Sequence, residues 1–223
     1  MEPCVHIIDD DKSFRTALGR VVEASGYRAN CYESGEEFLA RLPESEAGCI
    51  LLDLRMPGLS GAELQARLAQ AVPLLPIVFL TGQGTIAAGV QAMKAGADDF
   101  LEKPISAKIL RDVIDHALAR NEERRAGRDQ IQALRARVSR LTPREIEVFD
   151  LVVRGKRNKQ VAYDLNTSER TIKAHRHSIM EKLNLTSLAE MVSIAERLGR
   201  LEPTHAVLDP RPASSPKANI RYR

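Results

Sequence analysis

Acidic, hydroxyl and ammonium side chains stand at or just after the ends of several short apolar runs. They are Asp9, Asp10, Asp53, Thr81 and Lys103. If those runs are parallel strands, the side chains meet at one edge, because ligands of such sheets bind beyond the carboxyl ends of the strands. Crowded carboxylates repel one another unless a cation lies among them, and their oxygen atoms suit Mg²⁺. An aspartate can also accept a phosphoryl group as a nucleophile, while a lysine neutralises its charge. The predicted chemistry is phosphoryl transfer to an aspartate.

Each of these residues also has a purely structural interpretation. The acidic run at residues 9–11 could open a helix, where negative charge is favourable. Asp53 could cap the turn that begins near Pro57, and Lys103 could be a solvated lysine held by Glu102. The functional interpretation is favoured because all of them occur together at successive strand ends.

The elements that must position these residues follow from the periodicity of the first half. The apolar runs, interpreted as five strands, are residues 5–8, 27–32, 49–52, 77–80 and 100–101. Between them lie helical stripes that predict the core: Phe14, Leu18, Val21 and Val22; Phe38, Leu39 and Leu42; Leu64, Leu68 and Val72; Val90, Met93 and Ala97; Ile105, Ile109, Val113 and Leu118. Strands that alternate with helices predict an α/β, doubly wound parallel sheet that is covered on both faces.

Four segments of this half resemble the receiver domain of two-component response regulators: VHIIDDD, LLDLRMPGLSG, PIVFLTGQG and AMKAGADDFLEKP. The resemblance implies a flavodoxin-like fold in which Asp53 is the phospho-acceptor and a sensor histidine kinase is the donor. It also implies a Mg²⁺ ion held directly by Asp10 and Asp53, through water by Asp9, and by the backbone carbonyl of Arg55.

The same resemblance implies a switch. Thr81 and Lys103 are expected to contact the phosphoryl oxygens, and Phe100 matches the position of the switch aromatic. Phosphorylation adds charge and three acceptor oxygens to Asp53, which would draw Thr81 inward and leave space for Phe100. We expect a two-state change of packing in which the fourth helix, near residues 85–95, moves most.

The composition narrows the class of protein. The chain has 223 residues, of which 43% are hydrophobic and 28% charged, as in a globular protein. Aromatic residues make up 4% and tryptophan is absent, which argues against a stacking platform for single-stranded nucleic acid. No apolar run reaches membrane-span length and the N-terminus does not resemble a signal peptide. Cys4, Cys31 and Cys49 are too few and too widely spaced to predict disulfides or a zinc site. We expect a cytoplasmic protein without a membrane partner.

The two halves of the chain carry opposite charge. Residues 1–118 contain 11 Lys and Arg against 17 Asp and Glu, whereas residues 119–223 contain 22 against 13. An acidic half joined to a basic half indicates two domains with different partners. The basic half has the charge expected of a domain that binds nucleic acid.

The basic half is wholly helical in pattern, and capping residues divide it. Thr142, Pro143 and Glu145 open a first helix that ends at Gly155. Later caps and turns are predicted at Asn158, at Asn166 and Thr167, at Ser168, and at Thr186 or Ser187. The predicted buried residues are Ile146, Phe149, Val152, Val161, Ala162, Leu165, Ile172, Ile179, Leu183, Leu188, Met191, Val192 and Ala195. Two short helices joined by a tight turn, the second with a polar outer face, predict a helix-turn-helix.

The outer face of the third of these helices is basic: Arg170, Lys173, Ala174, Arg176 and His177. Donors at this spacing can reach base edges and phosphates in the major groove, although a solvated basic face would have the same composition. The motifs LTPRE, NKQVA, SERTIKAH and KLN resemble the LuxR-type helix-turn-helix domain. That resemblance implies that Arg170, Lys173, Arg176 and His177 face DNA and that Lys159 contacts its backbone. His175 also matches the motif, but it lies close to the buried side of the helix, which predicts a structural role.

The remaining segments connect or follow the two domains. Residues 121–138 are predicted to form a helical linker that breaks at Gly127. Its residues Ile131, Leu134 and Val138, followed by Leu141 just beyond it, have coiled-coil-like spacing. A solvated helix without a partner is an equal alternative. Residues 200–223 contain four prolines and few large apolar residues, which predicts a disordered tail.

The order of the domains resembles the FixJ/NarL group of transcriptional regulators. We expect a receiver domain at residues 1–120, the linker at 121–138, and an all-α, four-helix LuxR-type domain at 139–199. Its partners would be a sensor histidine kinase, promoter double-stranded DNA, a second copy of the chain after phosphorylation and, as a further candidate, RNA polymerase. We expect a phospho-accepting regulator and not an enzyme. The alternatives are a phosphohydrolase with an aspartate nucleophile and a DNA-binding protein whose receiver is only an interaction module.

Overall fold

The computed structural model describes residues 2–82 and 86–201, apart from the side chains of residues 86–88. Contacts divide the chain into two compact units, Met1–Gln130 and Ile131–Arg223, each with its own hydrophobic core. In those two described stretches, no helix has both the length and the hydropathy that crossing a membrane requires. The predicted start of the fourth helix at residue 85 lies outside the described residues, as does the predicted tail of residues 200–223 apart from residues 200 and 201.

The N-terminal unit is a sheet of five parallel strands in the order β2-β1-β3-β4-β5, with helices between successive strands. Its elements are β1 (Cys4–Ile8), α1 (Lys12–Ala24), β2 (Arg28–Tyr32), α2 (Gly35–Ala40), β3 (Gly48–Asp53), α3 (Gly61–Ala71), β4 (Ile77–Thr81), α4 (Ile86–Lys94), β5 (Asp99–Glu102) and α5 (Ala107–Val138). The five strands and the doubly wound parallel sheet confirm the predicted fold class.

Both faces of the sheet are covered, as the continuously apolar strands predicted. On the central strand β3, Ile50 and Leu52 face a cluster that includes residues of α2, α3 and α4. Cys49 and Leu51 point to the opposite face, where α1 and α5 pack. The alternation of side chains along a strand therefore gives the sheet two cores.

Four predicted core residues are exposed instead. Leu42, Val90, Met93 and Ile109 expose 38%, 47%, 45% and 52% of their surface. Among the described side chains of α4, Ala92 packs into the core. The prediction was wrong at these positions because a helix on a sheet buries one stripe, and apolar residues beside that stripe stay in solvent.

The last helix of this unit continues far beyond the predicted end of the domain. Helix α5 runs unbroken through Gly127, so the predicted break there was wrong. A glycine costs a helix only about 1 kcal/mol relative to alanine, which flanking contacts can offset. Such contacts exist: buried Asn121 donates to the carbonyls of Glu46 and Leu74 and accepts from the N–H of Gly48, at 2.8–3.0 Å.

A buried acid anchors the same stretch of α5. Asp98 is 9% exposed and accepts hydrogen bonds from Arg120 and Arg124, the closer at 2.6 Å. Its other oxygen accepts from the backbone N–H of Ile77 at 3.1 Å. Residues 120–128 therefore pack on the N-terminal unit, where Arg128 also pairs with Glu46.

The part of the C-terminal unit that the structure describes, residues 131–201, contains helices and no strands. It contains the end of α5 and four further helices, α6 (Pro143–Val153), α7 (Asn158–Asp164), α8 (Glu169–Lys182) and α9 (Leu188–Arg197). Its core confirms most of the predicted buried residues, with Phe149, Val161, Ile172, Ile179 and Leu183 fully enclosed. Leu188 is the exception, because it begins α9 and is 43% exposed.

Three of the four residues of the predicted linker seam belong to this core. Leu134, Val138 and Leu141 are buried among the residues of α6 to α9. Both earlier interpretations, a coiled-coil seam and a solvated helix, were therefore wrong for these residues. Arg200, which the sequence placed in the tail, makes a bidentate ion pair with Asp150, with both contacts at 2.9 Å.

The helix boundaries follow local capping chemistry. Thr142 and Glu145 form the predicted capping box of α6, and Ser168 and Ser187 cap α8 and α9. Arg157, not Asn158, precedes α7, so the predicted cap is shifted by one residue. Between α7 and α8, Asn166 adopts a positive φ of 49°, which asparagine tolerates better than most residues.

Candidate functional site

The carboxylates predicted at the strand ends meet at one edge of the N-terminal unit. Asp9 directly follows β1 and is fully buried, Asp53 ends β3 and is 8% exposed, and Asp10 is exposed. One carboxylate oxygen from each lies within 4.8 Å of the others. Three negative charges this close need a cation among them.

Lys103 supplies one such cation. It follows β5, and its Nζ atom lies 2.6 Å from Asp9 Oδ2 and 3.3 Å from Asp53 Oδ2. Asp9 and Lys103 are 94 residues apart in the chain, and only the parallel sheet joins them. The ammonium therefore stands between the two most buried carboxylates of the cluster.

The environment of Asp53 is poised between opposing effects. Burial raises the pKa of its carboxyl group, the Lys103 ammonium lowers it, and the neighbouring Asp9 carboxylate raises it again, with a net upward shift. The backbone N–H of Arg55 also donates to Asp53 Oδ1 at 3.3 Å. The predicted ligand residue Arg55 thus lies against the acidic cluster through its backbone.

Thr81 ends β4 beside this cluster, because Asp53 pairs with Leu80 in the β3–β4 register. Its hydroxyl is buried and, within residues 2–82 and 86–201, its Oγ1 atom has no hydrogen-bond partner. Leaving a buried hydroxyl unpaired costs about 1–3 kcal/mol. Such an atom next to an acidic cluster is suited to bind an oxygen that arrives with a ligand.

Phe100 lies on β5, half-buried, and packs against the core shared with α2, α3 and α4. A methyl group added at Gly89 of α4 would lie 3.5 Å from its ring. The predicted switch aromatic is therefore in contact distance of the helix that was predicted to move.

The arrangement of these side chains has a definite chemical capacity. Hard carboxylate oxygens can hold a divalent cation such as Mg²⁺. A buried aspartate with an ammonium nearby can act as a nucleophile toward phosphorus. The sequence predicted this convergence through the strand-end rule, and the structure brings Asp9, Asp10, Asp53 and Lys103 together.

The second candidate surface is the outer face of α8. Arg170, Lys173 and His177 are exposed at spacings of three and four residues, which places them on one side of the helix. Ala174, between them, is exposed as well. Lys159, at the second position of α7, is also exposed. The structure therefore presents four of the five predicted DNA-facing residues to solvent.

Arg176 is placed differently. Its side chain is half-buried and donates to Asn158 Oδ1, at the start of α7, at 2.9 Å. The contact ties α8 to α7 beside Lys159. The sequence did not reveal this contact, because Asn158 was predicted to cap α7 and not to accept a hydrogen bond from α8.

Sequence reasoning also missed the ion pair that joins α6 to α8. Glu145 accepts hydrogen bonds from Lys182 at 2.7 Å and from the Ser178 hydroxyl at 2.6 Å. Burial raises the pKa of Glu145, but these bonds and those from Thr142 outweigh burial and lower the pKa to about 2. The capping box predicted a local role for Glu145, and the fold adds a long-range one.

Two family models match the chain. The model described as response regulator receiver domain matches residues 5–115, and the one described as bacterial regulatory proteins, luxR family, matches residues 139–195. The chain is similar to the response regulator protein TmoT of Ectopseudomonas mendocina, at 39% identity over 88% of this chain and 90% of that protein. It is 38% identical to the transcriptional regulatory protein FixJ of Rhizobium meliloti, over 86% of this chain and 94% of FixJ.

Solved structures give the same result. The response regulator StyR is 42% identical with a TM-score of 0.73, over 88% of this chain and all of StyR. Full-length FixJ from B. japonicum is 36% identical with a TM-score of 0.55, over 91% of this chain and all of FixJ. A receiver domain implies a histidine kinase partner, and a LuxR-type domain implies DNA binding. The chain therefore belongs to the response regulators that join a receiver domain to a LuxR-type DNA-binding domain and regulate transcription under control of phosphorylation.

Proposed function

We propose that a sensor histidine kinase phosphorylates this chain on Asp53 and that the phosphorylated form binds promoter DNA as a dimer. The observation that carries the proposal is the convergence of Asp9, Asp10, Asp53 and Lys103 at one edge of the sheet. A scaffold that served only as an interaction module would not need that set of side chains.

The proposed transfer uses each member of the cluster. An Asp53 carboxylate oxygen attacks phosphorus while the bond from phosphorus to the kinase histidine nitrogen breaks. Lys103 stabilises the negative charge of the transferring group. Asp10, Asp53 and the Arg55 carbonyl would hold Mg²⁺ directly, with Asp9 acting through water, and the ion would neutralise phosphoryl charge. The clustered carboxylate oxygens fit such an ion.

The proposed switch begins at Thr81. Its hydroxyl, which has no hydrogen-bond partner among the described residues, would bond a phosphoryl oxygen on Asp53. The inward movement would leave room for Phe100. Because Phe100 lies against Gly89, its movement would alter the packing of α4. A packed interface of this kind has two discrete arrangements, and a new charge can select one of them.

The proposed dimer forms through α4 and the start of α5. Val90, Met93 and Ile109 are large apolar residues that stay exposed there.

A two-fold dimer would place two α8 helices on half-sites about one helical turn apart in DNA. Arg170, Lys173 and His177 would read the major groove, Lys159 would contact the backbone, and Arg176 would hold α7 and α8 in register. RNA polymerase is a candidate partner of the DNA-bound form. Binding to a promoter would require the chain to be in the cytoplasm.

The test combines mass, oligomeric state and DNA binding in one experiment. The chain and its Asp53→Asn variant are incubated with Mg²⁺ and acetyl phosphate. We expect the unsubstituted chain to gain one phosphoryl group, shift to dimer and bind its promoter more tightly, and the variant to do none of these. Equal phosphorylation of both proteins would rule out Asp53 as the acceptor. Continuous release of phosphate would favour a phosphohydrolase.

The DNA surface is tested with a matched pair of variants. Lys173→Ala is expected to weaken specific binding by about 1–3 kcal/mol and to relax base preference at one position. Lys159→Ala should weaken binding to all sequences alike and reduce its salt dependence, as loss of a phosphate contact does. Identical effects of the two variants would contradict the assignment of base and backbone roles.

A further inference from the structure

An aromatic ring covers the lysine of the acidic cluster. The Nζ atom of Lys103 lies 4.0 Å from the centroid of the Phe14 ring, well inside the range of a cation–π interaction. Phe14 is half-buried on α1 and also packs at the margin of the core beneath that helix. The ammonium is therefore enclosed by two carboxylates and one ring face.

The start of α1 ties this ring to the acidic cluster. Asp11 caps the helix, and its Oδ1 atom accepts from the N–H of Phe14 at 3.2 Å. The N–H of Asp11 in turn donates to Asp9 Oδ1 at 3.0 Å. One short segment therefore sets the positions of both the ring and the carboxylate that Lys103 touches.

We propose that Phe14 is a positioning residue that holds the Lys103 ammonium over the phosphorylation site. This inference rests on the proposed function of Asp53. Lysine has a long, flexible side chain, and ordering it costs conformational entropy. Two carboxylates attract the ammonium without choosing among its rotamers, whereas the ring face excludes the rotamers that leave the pocket. The electron-rich ring also attracts the cation directly.

The competing explanation is that Phe14 only fills space at the edge of the core. The two explanations differ in whether the electron density on the face of the Phe14 ring matters. Progressive fluorination of a phenylalanine ring weakens its attraction for a cation and changes its shape little. A residue that acts through packing would tolerate this series, and a residue that acts through the cation would not.

The experiment places mono-, tri- and pentafluorophenylalanine at position 14 of the full-length chain. The rate of phosphorylation of Asp53 by acetyl phosphate with Mg²⁺ is measured, together with the thermal midpoint of unfolding. We expect the rate to fall stepwise by roughly 3- to 30-fold in total, with little change in the midpoint. Phe14→Tyr should keep a rate near that of the unsubstituted chain. A rate that does not change along the series would overturn the inference.

A spectroscopic measurement without metal tests the contact directly. The Hε protons of Lys103, assigned with Lys103→Arg, should show an upfield ring-current shift that Phe14→Leu removes. Absence of that shift in the unsubstituted chain would also overturn the inference.

If the unsubstituted chain takes up no phosphoryl group at all, the proposed function fails. A normal rate that fluorination does not affect leaves the proposed function intact and removes only the role of Phe14.

Discussion

The histidine in β1 is held in the core without its charge. His6 is 1% exposed, and its ring packs on the rings of Tyr32 and Phe38 with centroids 6.0 and 5.5 Å away. Its Nδ1 atom lies 3.3 Å from the Tyr32 hydroxyl. Burial lowers the pKa of His6 from 6.5 to about 4, because the apolar surroundings disfavour the protonated ring.

This lowered pKa predicts acid sensitivity of the receiver domain. The unfolded chain binds a proton at His6 near pH 6.5 and the folded chain only near pH 4, so the contribution of His6 to stability is complete above pH 6.5. That contribution is lost as the pH falls from 6.5 toward 4, to a total of roughly 3 kcal/mol. Urea unfolding of the receiver, followed by its NMR signals from pH 7.5 to 4.5, measures the loss.

The matched variant for this measurement is His6→Leu. It removes the titrating ring, so its stability should depend less on pH across the same range, whatever its stability at pH 7.5. Parallel pH profiles for the two proteins would contradict the assignment of this pH dependence to His6.

At the scale of elements, a long helix is held in place by buried polar groups. Helix α5 extends beyond the sheet it covers, and its residues Asn121, Arg124 and Arg128 bind the loops that precede β3, β4 and β5. Asn121 is 3% exposed and uses its amide for three backbone hydrogen bonds. Those backbone groups keep these hydrogen bonds only while α5 stays packed on the receiver.

Removal of this amide should therefore destabilise the receiver more than a helix surface change. Asn121→Ala leaves the N–H of Gly48 and two carbonyls without their partner, and we expect a loss of about 2–4 kcal/mol. The control is Glu122→Ala, the exposed neighbour on the same helix, which should change stability by less than about 0.5 kcal/mol. Hydrogen exchange of β3 and of residues 107–130 measures both. Equal protection in the two variants would show that Asn121 does not anchor the helix.

At the scale of the whole molecule, the boundary of the DNA-binding unit falls inside helix α5. Leu134 and Val138 belong to the C-terminal core, at 8% and 5% exposure. Arg137 donates to the carbonyl of Leu183, at the end of α8, and so joins the same unit. The unit therefore begins upstream of residue 139, where the sequence pattern placed the start of the domain.

The position of the boundary predicts how truncated chains behave. A chain that begins at residue 131 should unfold cooperatively, whereas one that begins at 139 lacks two buried side chains and should be less stable by roughly 3–5 kcal/mol. Thermal unfolding and DNA binding of the two chains make the comparison. Equal stability would return the boundary to residue 139, where the sequence pattern first placed it.

Much of the fold and of the acidic cluster was predictable from patterns within a few residues. Apolar runs predicted five strands, and Thr and Ser caps predicted the starts of α6, α8 and α9. The acidic residues of the site were found because the carboxyl ends of parallel strands share an edge. Each of these rules depends on neighbours along the chain, so the sequence contains what they require.

The remaining features depend on pairs of residues that are distant in sequence. The ring of Phe14 against Lys103, the amide of Asn121 against the loops of the sheet, and the pairing of Arg176 with Asn158 are contacts of this kind. Local periodicity could not separate the exposed Val90 from a buried neighbour, or the exposed Arg170 from Arg176, which joins two helices. Packing decides which residues are buried and which contacts they make, because both depend on how the helices and strands assemble.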